Sequence, residues 1–160
     1  MIAGLAFRPI GPEDESLLLD LYASTRQDEM AAVPWTDEQK RVFIHMQFTA
    51  QRDHYKAHYP HAIQQVILHG EQPAGRLWID WQADRIHILD LTVLPAHRNG
   101  GLGTAILRQL QTEAAESGRA VTIFVESYNP SVRLFERLGF KAAEVTGFHV
   151  LFQWRREEEV

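Results

Sequence analysis

Residues 93–110 read VLPAHRNGGLGTAILRQL, with Gly100, Gly101 and Gly103 inside four positions and an apolar pattern at helical spacing directly after them. A strand that ends in a short glycine loop and passes into a helix brings unpaired backbone N–H groups and the positive end of the helix dipole to one point. Such a point takes an anion, phosphate above all. Glycine suits it because a side chain would hold phosphate oxygens away from the amides, and because some of these positions need positive φ. A glycine turn that only lets a helix pack close to a sheet remains the plainer alternative. Two other phosphate motifs do not fit. A P-loop needs Lys-Ser/Thr after its last glycine, and Gly103 is followed by Thr104-Ala105; a dinucleotide fingerprint needs Gly or Ala where Ile106 stands.

Working outward, residues 63–94 hold three apolar runs broken at residues 70–73 and 82–84, the pattern of an antiparallel meander. The third run, residues 86–94, is apolar at both parities apart from His87, Asp90 and Thr92, as expected of a central strand covered on both faces. After the glycines, Leu102, Ala105, Ile106, Leu110 and Ala114 form one helical stripe that stops at Ser117-Gly118. AVTIFVE (residues 120–126) is a further strand, Asn129-Pro130 caps and starts a helix that Gly139 closes, and two strands joined near Gly147 follow. Upstream lie a short strand at residues 5–8 and a helix within residues 11–25. A connector at residues 26–35 follows, then a helix capped by Thr36 with Gln39 that Pro60 ends. The expected fold is a single α/β (α+β) domain spanning residues 1–160, with a mixed, mostly antiparallel sheet of about seven strands flanked by about four helices. RREEEV, residues 155–160, reads as a solvated tail.

Composition narrows the function. With 160 residues, 45% hydrophobic and 23% charged, the chain suits one soluble globule. A net charge of −5 argues against nucleic acid as a partner. No apolar run reaches the roughly 18 residues of a membrane span, and no basic segment with a long apolar core opens the chain, so a cytoplasmic location is expected. The absence of cysteine excludes disulfides, thiolate metal sites and a cysteine nucleophile. His54 and His58 share a helical face near His61, but no third ligand accompanies them and Pro60 bends the path, so a solvated helix end is expected and no metal.

Val93, Pro95, Arg98, Gly101 and Gly103 match every fixed place of the motif V-x-P-x-x-R-x-x-G-x-G/A, and NPSVRLFERLGF, residues 129–140, matches a second element in the right order. In both respects the chain resembles the GNAT superfamily of N-acetyltransferases. The resemblance covers residues 63–154 well and the preceding elements loosely. It implies acetyl-CoA as cosubstrate, its diphosphate held by the amides of Arg98, Asn99, Gly100, Gly101, Leu102, Gly103 and Thr104. It also implies that the fourth and fifth strands splay apart, with a bulge in the fourth. The pantetheine arm then lies along the backbone of Leu91, Thr92 and Val93, a donor near Leu91 polarises the thioester carbonyl, and Asn129 contacts the arm.

Without cysteine, an acceptor amine has to attack the thioester directly, and a cationic amine must first lose a proton to a base. His87 and Asp90 are the candidates; strict alternation places them on opposite faces, and a bulge between them would bring them to one. At Phe135 many family members carry a tyrosine taken as the acid for the leaving thiolate, so that role falls to Tyr128 or Ser127, or goes unfilled. Asp28 and Glu29 beside Trp35 suit a cationic amine with an apolar body. The expected activity is N-acetyl transfer to a primary amine of a small molecule or peptide, in a chain that is a possible homodimer. The alternative is a non-catalytic acyl-CoA-binding sensor, consistent with Phe135.

Overall fold

A computed structural model describes residues 4–157. Its strands are β1 (Leu5–Pro9), β2 (Ile63–His69), β3 (Gln72–Trp81), β4 (Arg85–Val93), β5 (Ala120–Glu126), β6 (Lys141–Thr146) and β7 (His149–Trp154); its helices are α1 (Glu15–Ala31), α2 (Asp37–His58), α3 (Leu102–Ser117) and α4 (Val132–Arg137). They form one seven-stranded sheet in the order β1-β2-β3-β4-β5-β7-β6. Only β4 and β5 run parallel; the other neighbours are antiparallel. This is the mixed, mostly antiparallel sheet with four helices that the sequence led us to expect. The insertion of β7 between β5 and β6 was not legible, because a hairpin's own residues do not say which of its strands joins the sheet.

The local signals act as their chemistry requires. The Thr36 hydroxyl accepts from the Gln39 amide while the Gln39 side chain accepts from the Thr36 amide, closing both ends of a capping box. Gly118, at φ 68°, ends α3 in the left-handed conformation. One expectation is corrected: residues 26–35 are not all connector. Arg26, Gln27, Glu29, Met30 and Ala31 favour helix, and nothing before Pro34 breaks it, so α1 runs on to Ala31 and leaves only residues 32–36 as the link. At the far end Arg155, Arg156 and Glu157 are exposed, as a tail would be. The readings placed on residues 1–3 and 158–160 lie outside the described residues.

Strand alternation divides the apolar side chains between two cores. Leu77, Ile79, Ile86, Ile88, Val121, Ile123 and Phe152 face α3 and α4, where Ile106, Leu107, Leu110 and Phe135 meet them. Leu18, Leu21 and Tyr22 of α1 pack against Ile44 and Phe48 of α2 over the other face. Each fully buried aliphatic side chain contributes roughly 1.5–3 kcal/mol. The buried run from Ile86 to Leu89 makes β4 the central strand inferred from its pattern.

Candidate active site

β4 and β5 lie side by side only from Arg85↔Ala120 to Ile88↔Ile123. Beyond that point β4 stays with β3 as far as Gly75↔Val93, and β5 stays with β7 as far as Glu126↔His149. The sheet therefore forks. Its cause is visible in the register: Ile79 pairs with Ile88 and Trp78 with Asp90, so Leu89 is an extra residue in β4. A bulge bends its strand and increases its twist, which turns β4 away from β5. It also resets the parity, so that His87 and Asp90 share the face covered by α1 and α2.

The glycine loop sits at the open end of this fork. Asn99 at φ 63° and Gly101 at φ 82° supply two left-handed turns, and asparagine is among the few residues besides glycine that tolerate the conformation. The Arg98 amide donates to Pro95 and the Ala105 amide to Gly101, whereas those of Asn99, Gly100, Gly101, Leu102, Gly103 and Thr104 have no protein acceptor among the described residues. Six successive donors at the start of a 16-residue helix are an anion cradle in waiting. A Cβ on Gly103 would only touch Leu134 at 3.6 Å, so open access rather than crowding is what glycine provides there. Arg98 ties the loop down: its Nε donates to the Val93 carbonyl at 2.8 Å and its Nη2 to Ser24 of α1 at 3.2 Å.

On the α1/α2 face, His87 lies in the still-paired part of β4. It is 5% exposed, its Nδ1 is 2.7 Å from the Thr122 hydroxyl, and Tyr59 packs over it. Burial pushes its pKa down to about 4, with the positive charge of Arg85 adding to the effect and Asp80 opposing it. Asp90 lies on the fork itself. Arg76 donates to its Oδ2 from Nε at 2.7 Å and reaches it from Nη2 at 2.6 Å, and the Thr92 hydroxyl donates to Oδ1 at 2.7 Å. Tyr55 of α2 stands edge-on to Trp78, the residue paired with Asp90. Burial and then the Asp90 charge push its phenol up to about 12.

The β5 arm ends at Glu126, whose Oε1 is 3.9 Å from Arg26 of α1; Arg26 also donates to Glu29 at 3.1 Å. Past it, Tyr128 is 66% exposed and lines a shallow concavity with Ser127, Asn129 and Arg133. Asn129 caps the turn before α4, its Oδ1 accepting from the Ser131 amide at 2.8 Å. Phe135 is buried against Phe140 and Phe152, with ring centroids 5.8 Å away in each case. Among the residues read as acceptor contacts, Asp28 is exposed on α1, Glu29 is paired with Arg26, and Trp35 packs edge-on against Phe43 in the link. His54 and His58 lie with rings 4.1 Å apart, and among the described residues no group of three or more metal-ligating side chains is assembled.

Sequence reasoning passed over Arg76, Thr122, Tyr55 and Glu126. A polar residue inside an apolar strand was the available signal for the first two, since Arg76 and Thr122 are at most 2% exposed and so had to find partners. Tyr55 and Glu126 offered none, because each gains its position only from the packing of its element.

A model of the acetyltransferase (GNAT) family matches residues 18–140. No curated protein matches the chain in sequence. Among solved structures, the fold is similar to PaiA N-acetyltransferase from Thermoplasma acidophilum in complex with coenzyme A, with a TM-score of 0.69 at 13% identity over 95% of this chain and 99% of that one. It is also similar to yncA from Salmonella typhimurium with its cofactor acetyl-CoA (TM-score 0.56, 20% identity, 98% and 96% covered). A third is Naa50 from Arabidopsis thaliana in complex with the bisubstrate analogue CoA-Ac-MVNAL (TM-score 0.59, 10% identity, 96% and 100% covered).

Proposed function

Because the chain belongs to the acetyltransferase (GNAT) family, we propose that it moves an acetyl group from acetyl-CoA directly to a primary amine of a small molecule or peptide. The single observation that carries this reading is the forked sheet with six acceptor-free amides at its mouth. Structures of the same fold named as complexes with coenzyme A and with acetyl-CoA support the choice of cosubstrate.

The residues present fit that group. The amides of residues 99–104 hold the diphosphate, and the edge of β4 freed from Leu89 onward, including Leu91 and Thr92, offers backbone to the pantetheine amides. The Val93 carbonyl is already taken by Arg98, so Val93 contributes through its remaining backbone. Asn129 keeps its capping bond and presents its side-chain amide nitrogen. Acetyl-CoA supplies an acyl thioester, and with no cysteine in the chain the amine is its direct acceptor. Neither His87, sealed under Thr122 and Tyr59, nor Asp90, bound by Arg76 and Thr92, is assigned the proton of the amine. Tyr128 or solvent protonates the departing thiolate. We assign the chain a cytoplasmic site of action; among the described residues no helix is long and apolar enough to cross a membrane.

A second reading, an acyl-CoA sensor without turnover, is favoured by one observation, the phenyl cluster that holds Phe135 where a proton donor was expected. Thiol release across an amine panel separates the two. An enzyme liberates coenzyme A with at least one amine, and a sensor shows only a melting shift. Absence of any shift with millimolar acetyl-CoA sinks both.

A further inference from the structure

Each arm of the fork carries one carboxylate on the α1/α2 face, and the two differ in their commitments. Asp90 has both oxygens bonded. Among the described residues, Glu126 has a cation only at 3.9 Å, beyond hydrogen-bond distance, and that cation, Arg26, donates to Glu29 instead. Two carboxylates thus share one guanidinium. Among the described residues the Glu126 carboxylate is therefore without a hydrogen-bonding cation and is available to a cationic ligand.

Phe124 stands two residues before Glu126 on the same face of β5, about 7 Å along the strand. Thr122, one step earlier on that face, is fully buried, whereas Phe124 is 44% exposed, so the cover of this face stops between them. The exposed ring is not loose. His149, the register partner of Glu126, stacks on it at 5.1 Å with an interplanar angle of 15°. A stacked pair of rings, with Phe124 still 44% exposed, therefore adjoins that carboxylate.

Resting on the acetyl-transfer reading, we propose that Phe124, His149 and Glu126 form the acceptor site, and that it takes a primary amine carrying a flat apolar ring. The ammonium binds the Glu126 carboxylate and the ring lies against Phe124. Glu126 then takes one proton from the ammonium: the N–H bond breaks with its electron pair left on nitrogen, an O–H bond forms on the carboxyl group, and that proton passes to water.

The test is calorimetric titration of phenethylamine and of butylamine into protein saturated with coenzyme A. Phenethylamine should bind about 3–10-fold more tightly than butylamine, the range for one aromatic contact. Glu126→Gln should weaken both amines about 10–100-fold, as expected for losing a charged hydrogen-bond partner, with coenzyme A affinity unchanged. Phe124→Ala should erase the preference for phenethylamine and leave butylamine as it was. Equal affinity for the two amines, no binding of either, or indifference to Glu126→Gln overturns the proposal. Coenzyme A binding with any of those results overturns this proposal alone; failure of the wild type to bind coenzyme A removes the acetyl-transfer reading as well.

Discussion

Arg76 and Asp90 are joined across β3 and β4 by two contacts to one carboxylate oxygen, at 2.7 and 2.6 Å, immediately past the Leu89 bulge. Arg76 is only 2% exposed; its Nη1 donates to Gln64 at 3.3 Å, and its Nη2, besides reaching Asp90, donates to Gln51 at 3.4 Å. The pair clamps β4 where it leaves β5. Removing one member strands a buried charge, so Asp90→Asn should cost about 3–5 kcal/mol in urea unfolding. Arg76→Met with Asp90→Leu, which removes both charges, should cost less than the single change. A loss under 1 kcal/mol for Asp90→Asn would show that the clamp does not hold the fork.

His87 links stability to pH. Its folded pKa of about 4 lies below the ordinary value of 6.5, so the unfolded chain binds the extra proton between these two values. Its contribution is therefore complete above pH 6.5 and is lost as pH falls towards 4, by up to ~3 kcal/mol. Melting curves over that window should show the loss, and His87→Gln should flatten this component. A wild-type profile unaltered by the substitution would mean that His87 is not held neutral by burial.

The glycines of the loop should behave differently from one another. Gly103→Ala meets only ordinary contact with Leu134 and should leave the melting temperature nearly unchanged, whereas Gly101→Ala has to adopt φ near 82° and should destabilise by about 1 kcal/mol or more. Gly103→Glu should keep the fold and abolish the stabilisation by acetyl-CoA, which reaches about 2.7 kcal/mol at 100 times the dissociation constant. Normal cofactor binding by Gly103→Glu would leave the loop a purely structural turn.

Phe135→Tyr would place a hydroxyl among Phe140 and Phe152. An unpartnered buried hydroxyl costs about 1–3 kcal/mol, so this variant should be less stable and no faster. Thiol release that rises in Phe135→Tyr would instead show that thiolate departure limits the wild type. Tyr128→Phe is the complementary measurement: a loss of about 10²–10⁴-fold identifies Tyr128 as the proton donor, and no change assigns the proton to water.

The order of strands and helices, the glycine loop and the cap at Thr36 were legible because each depends on neighbours in sequence: apolar period, a short polar side chain before a helix, glycine where φ turns positive. Asn129-Pro130 placed the start of α4 too early: the helix begins at Val132 with Ser131 at its N-cap, and Asn129 closes the turn before it. The extent of α1 was misjudged because an acidic, mixed-charge stretch reads as loop until its helix propensity is summed. What the sequence could not disclose was which charges meet. Arg76 stands 14 residues from Asp90, His87 35 residues from Thr122, and Arg26 100 residues from Glu126. Residue type alone made His87 and Asp90 the natural bases. Long-range packing commits both to structural partners and leaves Glu126 loosely held, because a side chain's availability depends on the burial and bonds its neighbours impose, and those neighbours are assembled only by the folded sheet.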